Sequence, residues 1–381
     1  VEDLGLLKMD FLGLRNLDVI SDTVELIKAV RGVDLDVDHL PLDDEKTFAM
    51  LQAGDSIGVF QLEGGPMRAL MRSLAPTCFD DVAALVALYR PGPMSANMHN
   101  DYADRKNGRK DIAYEHADLE PILGDTYGLM IYQESVMRVA QSIAGYSLAE
   151  ADNLRKACGK KNRELIAKER EKFIEGCTNE GYGPELGTTL FDIIEPFADY
   201  AFNKSHAYGY GLVAYQTAYL KAHYPVEYLA ALLTSVKTSL EKAAVYLNEC
   251  RQIGVPVLVP DVNVSQSNFT ALVDRTAPPV EEGGDPVPLP DAIPFGLSAI
   301  RNVGEGLVGL IIEEREANGP YTDFYDFCER VDTAVLNKRT IESLIKAGAF
   351  DSLGHPRKGL LTVFERIVDI TVARRRERDM G

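Results

Sequence analysis

Apolar residues recur every three or four positions along most of the chain, a spacing typical of amphipathic helices. Leu17, Ile20, Val24 and Ile27 follow this spacing and predict one long helix, for which Gly32 is the stop signal. The pattern as a whole predicts a mainly α protein with a small β component, in the α+β class.

Several further helices are predicted in the first 255 residues. Asp43 or Asp44 is a plausible cap for a short helix between Pro41 and Val59, and Met67 to Tyr89 reads as helical until Arg90-Pro91-Gly92-Pro93 ends it. Residues 95–128 read as short helices and loops. The remaining helices are predicted at Gln133 to Ala144, from a capping box at Ser147-Leu148-Ala149-Glu150 to about Cys158, and near 163–180, 185–198, 208–222, 226–236 and 239–253.

The opening residues differ from this helical pattern. Lys8 and Asp10 lie two positions apart within an apolar run, so in a strand they share one face while Leu7, Met9 and Phe11 share the other. Periodicity leaves two interpretations open. The strand either delivers the two charges into a cleft or is half exposed with an ordinary salt bridge, and the second is the commoner case.

The composition changes near residue 255. Val255-Pro256-Val257-Leu258-Val259-Pro260 reads as an extended segment, and Pro278 to Pro294 is a turn-rich connection with many prolines. We expect a domain boundary between residues 255 and 295, and 381 residues are enough for two or three domains.

The charge balance speaks against a nucleic-acid partner at first sight, because 58 acidic and 40 basic residues give a net charge of −18. Binding needs only a local basic surface, however, and the basic residues cluster while the acidic ones are spread out. The clusters are Lys156 with Lys160, Lys161 and Arg163, then Lys204 with His206, then Arg374, Arg375, Arg376 and Arg378. Any DNA binding by the isolated chain should therefore be weak and strongly salt-dependent.

Other classes of protein are not favoured. No apolar run approaches the ~20 residues of a membrane span, and five scattered cysteines suggest neither a disulfide framework nor a zinc site, so we expect a cytoplasmic protein with reduced thiols. Because the chain does not begin with methionine and opens inside a strand pattern, we expect a fragment of a longer protein.

Three long sequence segments carry a resemblance to a known family. Lys8-Met9-Asp10-Phe11-Leu12-Gly13-Leu14-Arg15 is the first. Phe60-Gln61-Leu62-Glu63 with Ala87-Leu88-Tyr89-Arg90-Pro91-Gly92-Pro93 is the second, and Phe202-Asn203-Lys204-Ser205-His206, continuing to Leu220-Lys221-Ala222-His223-Tyr224-Pro225, is the third. In this order they resemble the bacterial DNA polymerase III alpha subunits, the C-family replicative polymerases, over essentially the whole chain.

The resemblance implies a metal site at the start of the chain. Asp10 matches one of three palm aspartates that hold two Mg²⁺ ions in the family, and Lys8 matches a lysine beside them that neutralises phosphate charge. Magnesium prefers hard oxygen ligands, and two-metal nucleotidyl transfer needs several of them. The two other aspartates are not found here, so the metal ligation should be incomplete and the fragment alone inactive.

The segment around residues 153–161 is the best local anion site. Arg155 and Lys156 fall in the last turn of a predicted helix, with Lys160 and Lys161 just beyond Gly159, so four cations can converge on a triphosphate. The alternative is that these cations only complement the helix dipole, and the residues alone leave the two about even. By resemblance, Arg155 and Lys156 match the family's basic pair that contacts the phosphates of the incoming nucleotide.

Asn203, Lys204, Ser205 and His206 are predicted to form a loop between two helices. Such a loop presents polar groups to a nucleotide, with Tyr208 or Tyr210 as a stacking face. Asn203 or Ser205 is equally suited to cap a helix, and capping is compatible with phosphate contact because a helix N-terminus attracts anions. Arg90 either binds phosphate or fixes the Pro-Gly-Pro corner, and the corner role is favoured.

Gly304 and Gly306 form a Gly-x-Gly turn between two predicted helical segments, the pattern of a helix-hairpin-helix. Glycines allow close approach of the backbone to a DNA phosphate, although a tight helical turn is the usual alternative. A second copy around Gly348-Ala349-Phe350 lacks the Gly-x-Gly pattern, so a packing role is expected for it. The arginines at 374–378 fit a solvated helix end and a DNA-facing stripe equally well.

Together these features predict three regions: residues 1–15 as the end of the palm, residues 16–255 as a helical fingers domain, and residues 256–381 as a tandem helix-hairpin-helix region leading into the clamp-binding region. In the intact protein the expected role is template-directed transfer of deoxynucleotides to a primer 3′-OH, with this part binding the incoming dNTP and the primer-template DNA. The expected partners are dNTP, primer-template DNA, the sliding clamp and other replisome subunits. The alternative is a non-catalytic DNA-binding scaffold, which has no need of a carboxylate in a cleft.

Overall fold

The computed structural model describes residues 4–6, 9, 11, 13–159, 163–197, 200–277 and 286–380. The chain forms two compact units. The continuous unit comprises residues 37–223, and the discontinuous unit comprises residues 1–36 together with 224–381.

The continuous unit is built from helices. Their bounds are α2 Glu45–Ala53, α3 Gly65–Leu74, α4 Phe79–Leu88, α5 Pro91–Ser95, α6 Met98–Lys106, α7 Glu120–Leu123, α8 Gln133–Ala144, α9 Leu148–Gly159, α10 Arg163–Asn179, α11 Gly183–Phe197 and α12 Lys204–His223.

The discontinuous unit has helices and two small sheets. Its helices are α1 Arg15–Arg31, α13 Pro225–Ser235, α14 Leu240–Gln252, α15 Glu305–Asn318, α16 Phe324–Arg330, α17 Lys338–Ala347 and α18 Arg357–Met380. β1 (Val257–Leu258) pairs in parallel with β4 (Ile293–Pro294), and β2 (Thr276–Ala277) pairs antiparallel with β3 (Val287–Pro288). The prediction of a mainly α protein is confirmed.

Local start and stop signals position several helices as predicted. α1 ends at Gly32, which adopts the left-handed conformation with φ 67°. Asp44 caps α2 by accepting a hydrogen bond from the backbone N–H of Thr47 at 2.8 Å. The Ser147 and Glu150 side chains form the predicted reciprocal capping box at the start of α9.

Two predicted boundaries are wrong, and one stop signal acts as predicted. The helix expected from Met67 to Tyr89 is two helices, because Ala75 takes φ 50° just before Pro76. The helix before Arg90 ends at Leu88, as predicted, and Pro91 begins a new helix, α5, at the helical position where a missing N–H costs nothing. α12 begins at Lys204 rather than near 208, so the expected 203–206 loop is a helix N-terminus.

Each unit has its own core. In the continuous unit, α8, α9, α10 and α11 enclose a cluster that includes Leu154, Phe173 and Phe191, all fully buried. In the discontinuous unit, the main cluster gathers α15 to α18 around Phe324, Phe327 and Phe350. The close packing of α4 on α12 depends on Gly211, where an added Cβ would lie 3.1 Å from the Cα of Ala83.

The hairpin region is less helical than predicted. The segment before the first Gly-x-Gly turn is a single 3₁₀ turn, Leu297–Ala299, rather than a helix. The second copy runs from α17 through the left-handed Gly348 to α18. No described helix is both long and apolar enough to cross a membrane.

The described positions of the opening segment, including Leu6, Met9 and Phe11, are exposed and carry no strand assignment. Lys8 and Asp10 lie outside the described residues, so the strand and its shared charged face stay predictions.

Candidate functional site

The end of α9 carries a compact group of charges. The Nε and Nη2 atoms of Arg155 lie 2.9 and 2.8 Å from Oδ1 of Asp152, and the Nζ of Lys156 lies 2.7 Å from Oδ2 of the same carboxylate. The Lys156 and Arg155 hydrogen bonds lower the pKa of Asp152. Sequence reasoning predicted both cations and missed the carboxylate that holds them.

The position of this group follows from the two faces of α9. Ala151, Leu154 and Ala157 are fully buried against the core of the continuous unit. Arg155 and Lys156 fall outside that apolar stripe, and their side chains are 33% and 54% exposed. The helix therefore holds the two cations at the surface, within reach of an anionic ligand. Lys160 and Lys161 lie outside the described residues.

The start of α12 is closed by a second helix. The Oδ1 atom of Asn203 accepts from the backbone N–H of His206 at 2.8 Å, which is an N-cap. The carboxylate of Glu134, in the first turn of α8, accepts from the Asn203 side-chain amide and from the Lys204 backbone N–H, both at 2.9 Å. An anion therefore already occupies this helix N-terminus, and it belongs to the protein.

The Lys204 side chain lies among acidic and aromatic groups. Its Nζ is 3.0 Å from Oδ2 of Asp125 and 5.3 and 5.4 Å from the ring centres of Tyr132 and Tyr208. The Tyr208 hydroxyl donates to Asp80, and burial together with this carboxylate raises the pKa of Tyr208. Lys204 is thus a positioned cation whose charge is already compensated.

Asn203, Ser205 and His206 are the exposed residues of this turn, whereas Lys204 is partly buried. The His206 ring lies 4.3 Å from that of Tyr210 at an angle of 30°, and 5.3 Å from Phe202 in an edge-on arrangement. The Tyr210 ring therefore contacts His206. One expectation was that this ring stacks on a nucleotide base.

Arg90 fixes the corner before α5. Its guanidinium lies 4.4 Å from the ring centre of Phe202, and its Nη1 donates to the carbonyl of Tyr200 at 3.4 Å. Gly92 belongs to the same corner, because a Cβ there would come within 2.5 Å of the Tyr200 Cβ. These contacts support the corner role of Arg90 and connect it to the segment that leads into α12.

The groups at α9 and at α12 are not in direct contact. Among the described residues, Arg155 and Lys156 bind only Asp152, and Lys204 binds Asp125 and the two tyrosine rings. α8 and α9 are joined by only three residues and pack against each other. A short connection of this kind is typical of a helical hairpin.

A cavity of about 270 Å³ lies elsewhere in the continuous unit. Its wall is largely apolar and includes Leu119, Met130 and Phe197, with Arg105 and Glu115 as charged residues. None of the residues predicted to bind nucleotide lines it.

In the discontinuous unit, the predicted DNA-contacting turn is open. A Cβ on Gly304 or Gly306 would meet nothing within 4 Å, and no side chain caps α15 in the part of the chain that the structure describes. Gly348 of the second copy is different, because a Cβ there would lie 2.7 Å from the Val259 side chain. The contrast agrees with an approachable first turn and a packing role for the second.

Charged residues also lie at the first hairpin turn. Glu305, the first residue of α15, binds Lys237 on the neighbouring segment, and the Lys237 Nζ also donates to Asn268 at 2.9 Å. Three of the four arginines at residues 374–378 have partners as well. Arg374 and Arg378 bind Glu329, and Arg375 donates to the carbonyl of Val331 at 2.6 Å. For these three arginines, the contacts favour a helix end over a DNA-facing stripe.

The chain thus combines a helical unit carrying surface cations with a hairpin region whose first turn is open. Residues 16–181 match the family profile described as the bacterial DNA polymerase III alpha subunit finger domain, and residues 254–360 match a helix-hairpin-helix motif. Over its whole length the chain is homologous to bacterial DNA polymerase III alpha subunits.

Sequence similarity to known proteins covers nearly the whole chain. It is 53% identical to the DNA polymerase III subunit alpha of Mycobacterium tuberculosis H37Rv over 100% of this chain and 31% of the relative. The corresponding subunit of Thermus aquaticus is 47% identical over 97% of the chain and 29% of the relative, and that of Escherichia coli K12 is 44% identical over 95% and 30%. The chain therefore spans about a third of the length of these relatives.

Proposed function

We propose that this chain is the fingers and helix-hairpin-helix part of a DNA-directed DNA polymerase, acting in the cytoplasm. In the intact protein it binds the incoming dNTP and the primer-template duplex while deoxynucleotides are transferred to a primer 3′-OH. The observation that carries the proposal is the cation pair at the exposed end of α9, within the residues that match the finger domain.

Nucleotide binding rests on Arg155 and Lys156. A guanidinium and an ammonium held side by side suit a triphosphate, which carries several charges and many acceptor oxygens. Lys160 and Lys161 follow in sequence and are proposed to bind the same triphosphate. Because Arg155 gives only one edge of its guanidinium to Asp152, its Nη1 donors stay available to phosphate.

The start of α12 contributes in a second way. Asn203 shapes the turn as its cap, so its role is supporting. Ser205 and His206 are exposed and offer polar groups to the nucleotide. Lys204 binds phosphate after its ion pair with Asp125 breaks. Glu134 already satisfies the Lys204 backbone N–H, so we do not assign that N–H to the ligand.

The metal chemistry is assigned by family resemblance. The described residues contain no group of three or more His, Cys, Asp or Glu side chains placed to hold a metal ion, and Asp10 and Lys8 lie outside the described residues. Mg²⁺ would supply charge stabilisation for nucleotidyl transfer, with Asp10 as one ligand and Lys8 beside it. One carboxylate cannot hold two ions, so the isolated chain should not extend a primer. Primer extension by the purified chain would refute this.

DNA binding is assigned to the first hairpin turn. The open space at Gly304 and Gly306 allows a phosphate to approach the backbone N–H groups at the start of α15 without a steric clash. In this proposal, residues 1–15 end the palm, residues 16–255 form the fingers, and residues 256–381 hold duplex DNA and lead towards the sliding clamp and other replisome subunits.

The test uses a full-length polymerase chain that carries this sequence. Replacing Arg155→Gln and Lys156→Gln together should raise the KM for dNTP about tenfold or more, because charge-assisted hydrogen bonds to the triphosphate are lost. The matched control is Arg170→Gln with Lys172→Gln, which removes the same charge from α10, where both cations bind carboxylates at the surface. An unchanged KM in the first variant would remove the pair from the site and favour the non-catalytic scaffold.

A further inference from the structure

Asp152 occupies a special position relative to the two cations of α9. Successive residues of an α-helix point about 100° apart, so Arg155 and Lys156 do not face each other. A residue that precedes Arg155 by three positions and Lys156 by four lies on the helix surface between these two side chains. Asp152 is that residue, and its two oxygens are divided between them: Oδ1 binds Arg155 and Oδ2 binds Lys156.

This arrangement orders both side chains. Arginine and lysine are long and lose considerable rotamer freedom when a ligand fixes them. Asp152 accepts from the Nε and one Nη2 donor of Arg155 at 2.9 and 2.8 Å, which sets the plane of the guanidinium. Three N–H donors of that group remain on the opposite side. Part of the ordering needed for phosphate binding is therefore complete before the nucleotide arrives.

We propose that Asp152 is a positioning residue for the triphosphate, which draws Arg155 and Lys156 into one anion-binding group. The inference rests on the proposed function, since it assumes that these two cations meet the nucleotide. The competing possibility is that Asp152 blocks the cations, and this possibility predicts the opposite sign. Asp152 takes one edge of the guanidinium and a single ammonium contact, so positioning is the effect that the geometry favours.

The test compares variants of the full-length polymerase in steady-state primer extension. Asp152→Ala should raise the KM for dNTP about fivefold with kcat changed less than about twofold, because preorganisation is lost while the cations remain. Asp152→Glu keeps the carboxylate at the same helical position and should restore most of the affinity. Asp192→Ala is the matched control, because it removes an aspartate that binds Arg170 at 2.5 Å on another surface.

A structural role alone would not give this pattern. In the Arg155→Gln, Lys156→Gln background, Asp152→Ala should have no further effect on KM, since its partners are gone. A KM that stays the same or falls in Asp152→Ala alone would overturn the inference. If the double glutamine variant raises KM while Asp152→Ala does not, only the inference fails. If the double glutamine variant itself leaves KM unchanged, the proposed nucleotide site fails.

Discussion

The carboxylate of Glu134 accepts a hydrogen bond from the backbone N–H of Lys204 at 2.9 Å, across 70 residues of sequence. Through this bond the first turn of α8 closes the first turn of α12. Glu134 also accepts from the Asn203 amide, so one carboxylate satisfies a helix-terminal donor and orients the residue that caps the same helix. The segment predicted as a ligand-binding loop is thereby held as ordered helix.

Glu134→Ala should lower the free energy of unfolding by about 1–2 kcal/mol, because the two donors lose their acceptor at a helix end. Chemical denaturation of the chain measures the change. Glu134→Gln should cost less, since its side-chain oxygen still accepts one hydrogen bond.

Glu134 also interacts with the dipole of its own helix, α8, and Glu185 provides the control for that effect. Glu185 is an exposed carboxylate in the first turn of α11 and, among the residues that the structure describes, it closes no second helix. Glu185→Ala should change the unfolding free energy by less than about 0.5–1 kcal/mol. Equal losses for the two alanine variants would contradict the closure of α12 by Glu134.

The hairpin turn can be tested within one helix. Gly306 and Gly309 both lie in α15, and a Cβ at either position meets nothing within 4 Å. Gly306→Leu should weaken binding of the full-length chain to duplex DNA about tenfold, because a bulky side chain blocks approach of phosphate to the turn. Gly309→Leu, one turn further on, should leave the Kd nearly unchanged.

Fluorescence anisotropy with a short duplex measures both affinities, and a salt series shows whether phosphate contacts contribute. Both substitutions favour helix formation, so loss of the fold is not expected from either. Equal duplex affinity in the two variants would leave Gly-x-Gly as a tight helical turn without a DNA role.

The second hairpin copy should respond through stability. Gly348 and Gly354 have similar left-handed conformations, with φ 89° and 81°, but only Gly348 is closely surrounded. Gly354→Ala should cost about 1 kcal/mol for backbone strain, and Gly348→Ala about 3 kcal/mol because its Cβ also clashes with Val259 and Arg357. Urea unfolding distinguishes the two, and similar losses would mean that packing at Gly348 is unimportant.

Most of the helices could be predicted because their signals are local. The Asp44 cap, the Gly32 stop and the capping box of Ser147 with Glu150 each act within a few residues, so the sequence contains the whole interaction. At the start of α12 the Asn203 cap is also local and was one expectation, but the closure of this turn by a second helix could not be predicted. It depends on Glu134, which lies about 70 residues before the helix that it closes.

The same distinction applies to the site. Arg155 and Lys156 stand out as a cation pair, and Asp152 could also have been found, since acceptors three and four residues earlier on a helix are within reach. No sequence signal links Lys204 to Asp125, because those residues meet only when separate helices pack. The sequence by itself determined the helical class, the caps and the identity of the cations. Only the tertiary structure decided which carboxylate compensates Lys204 and which glycine is free of contacts, because these depend on atoms brought together by folding from distant parts of the chain.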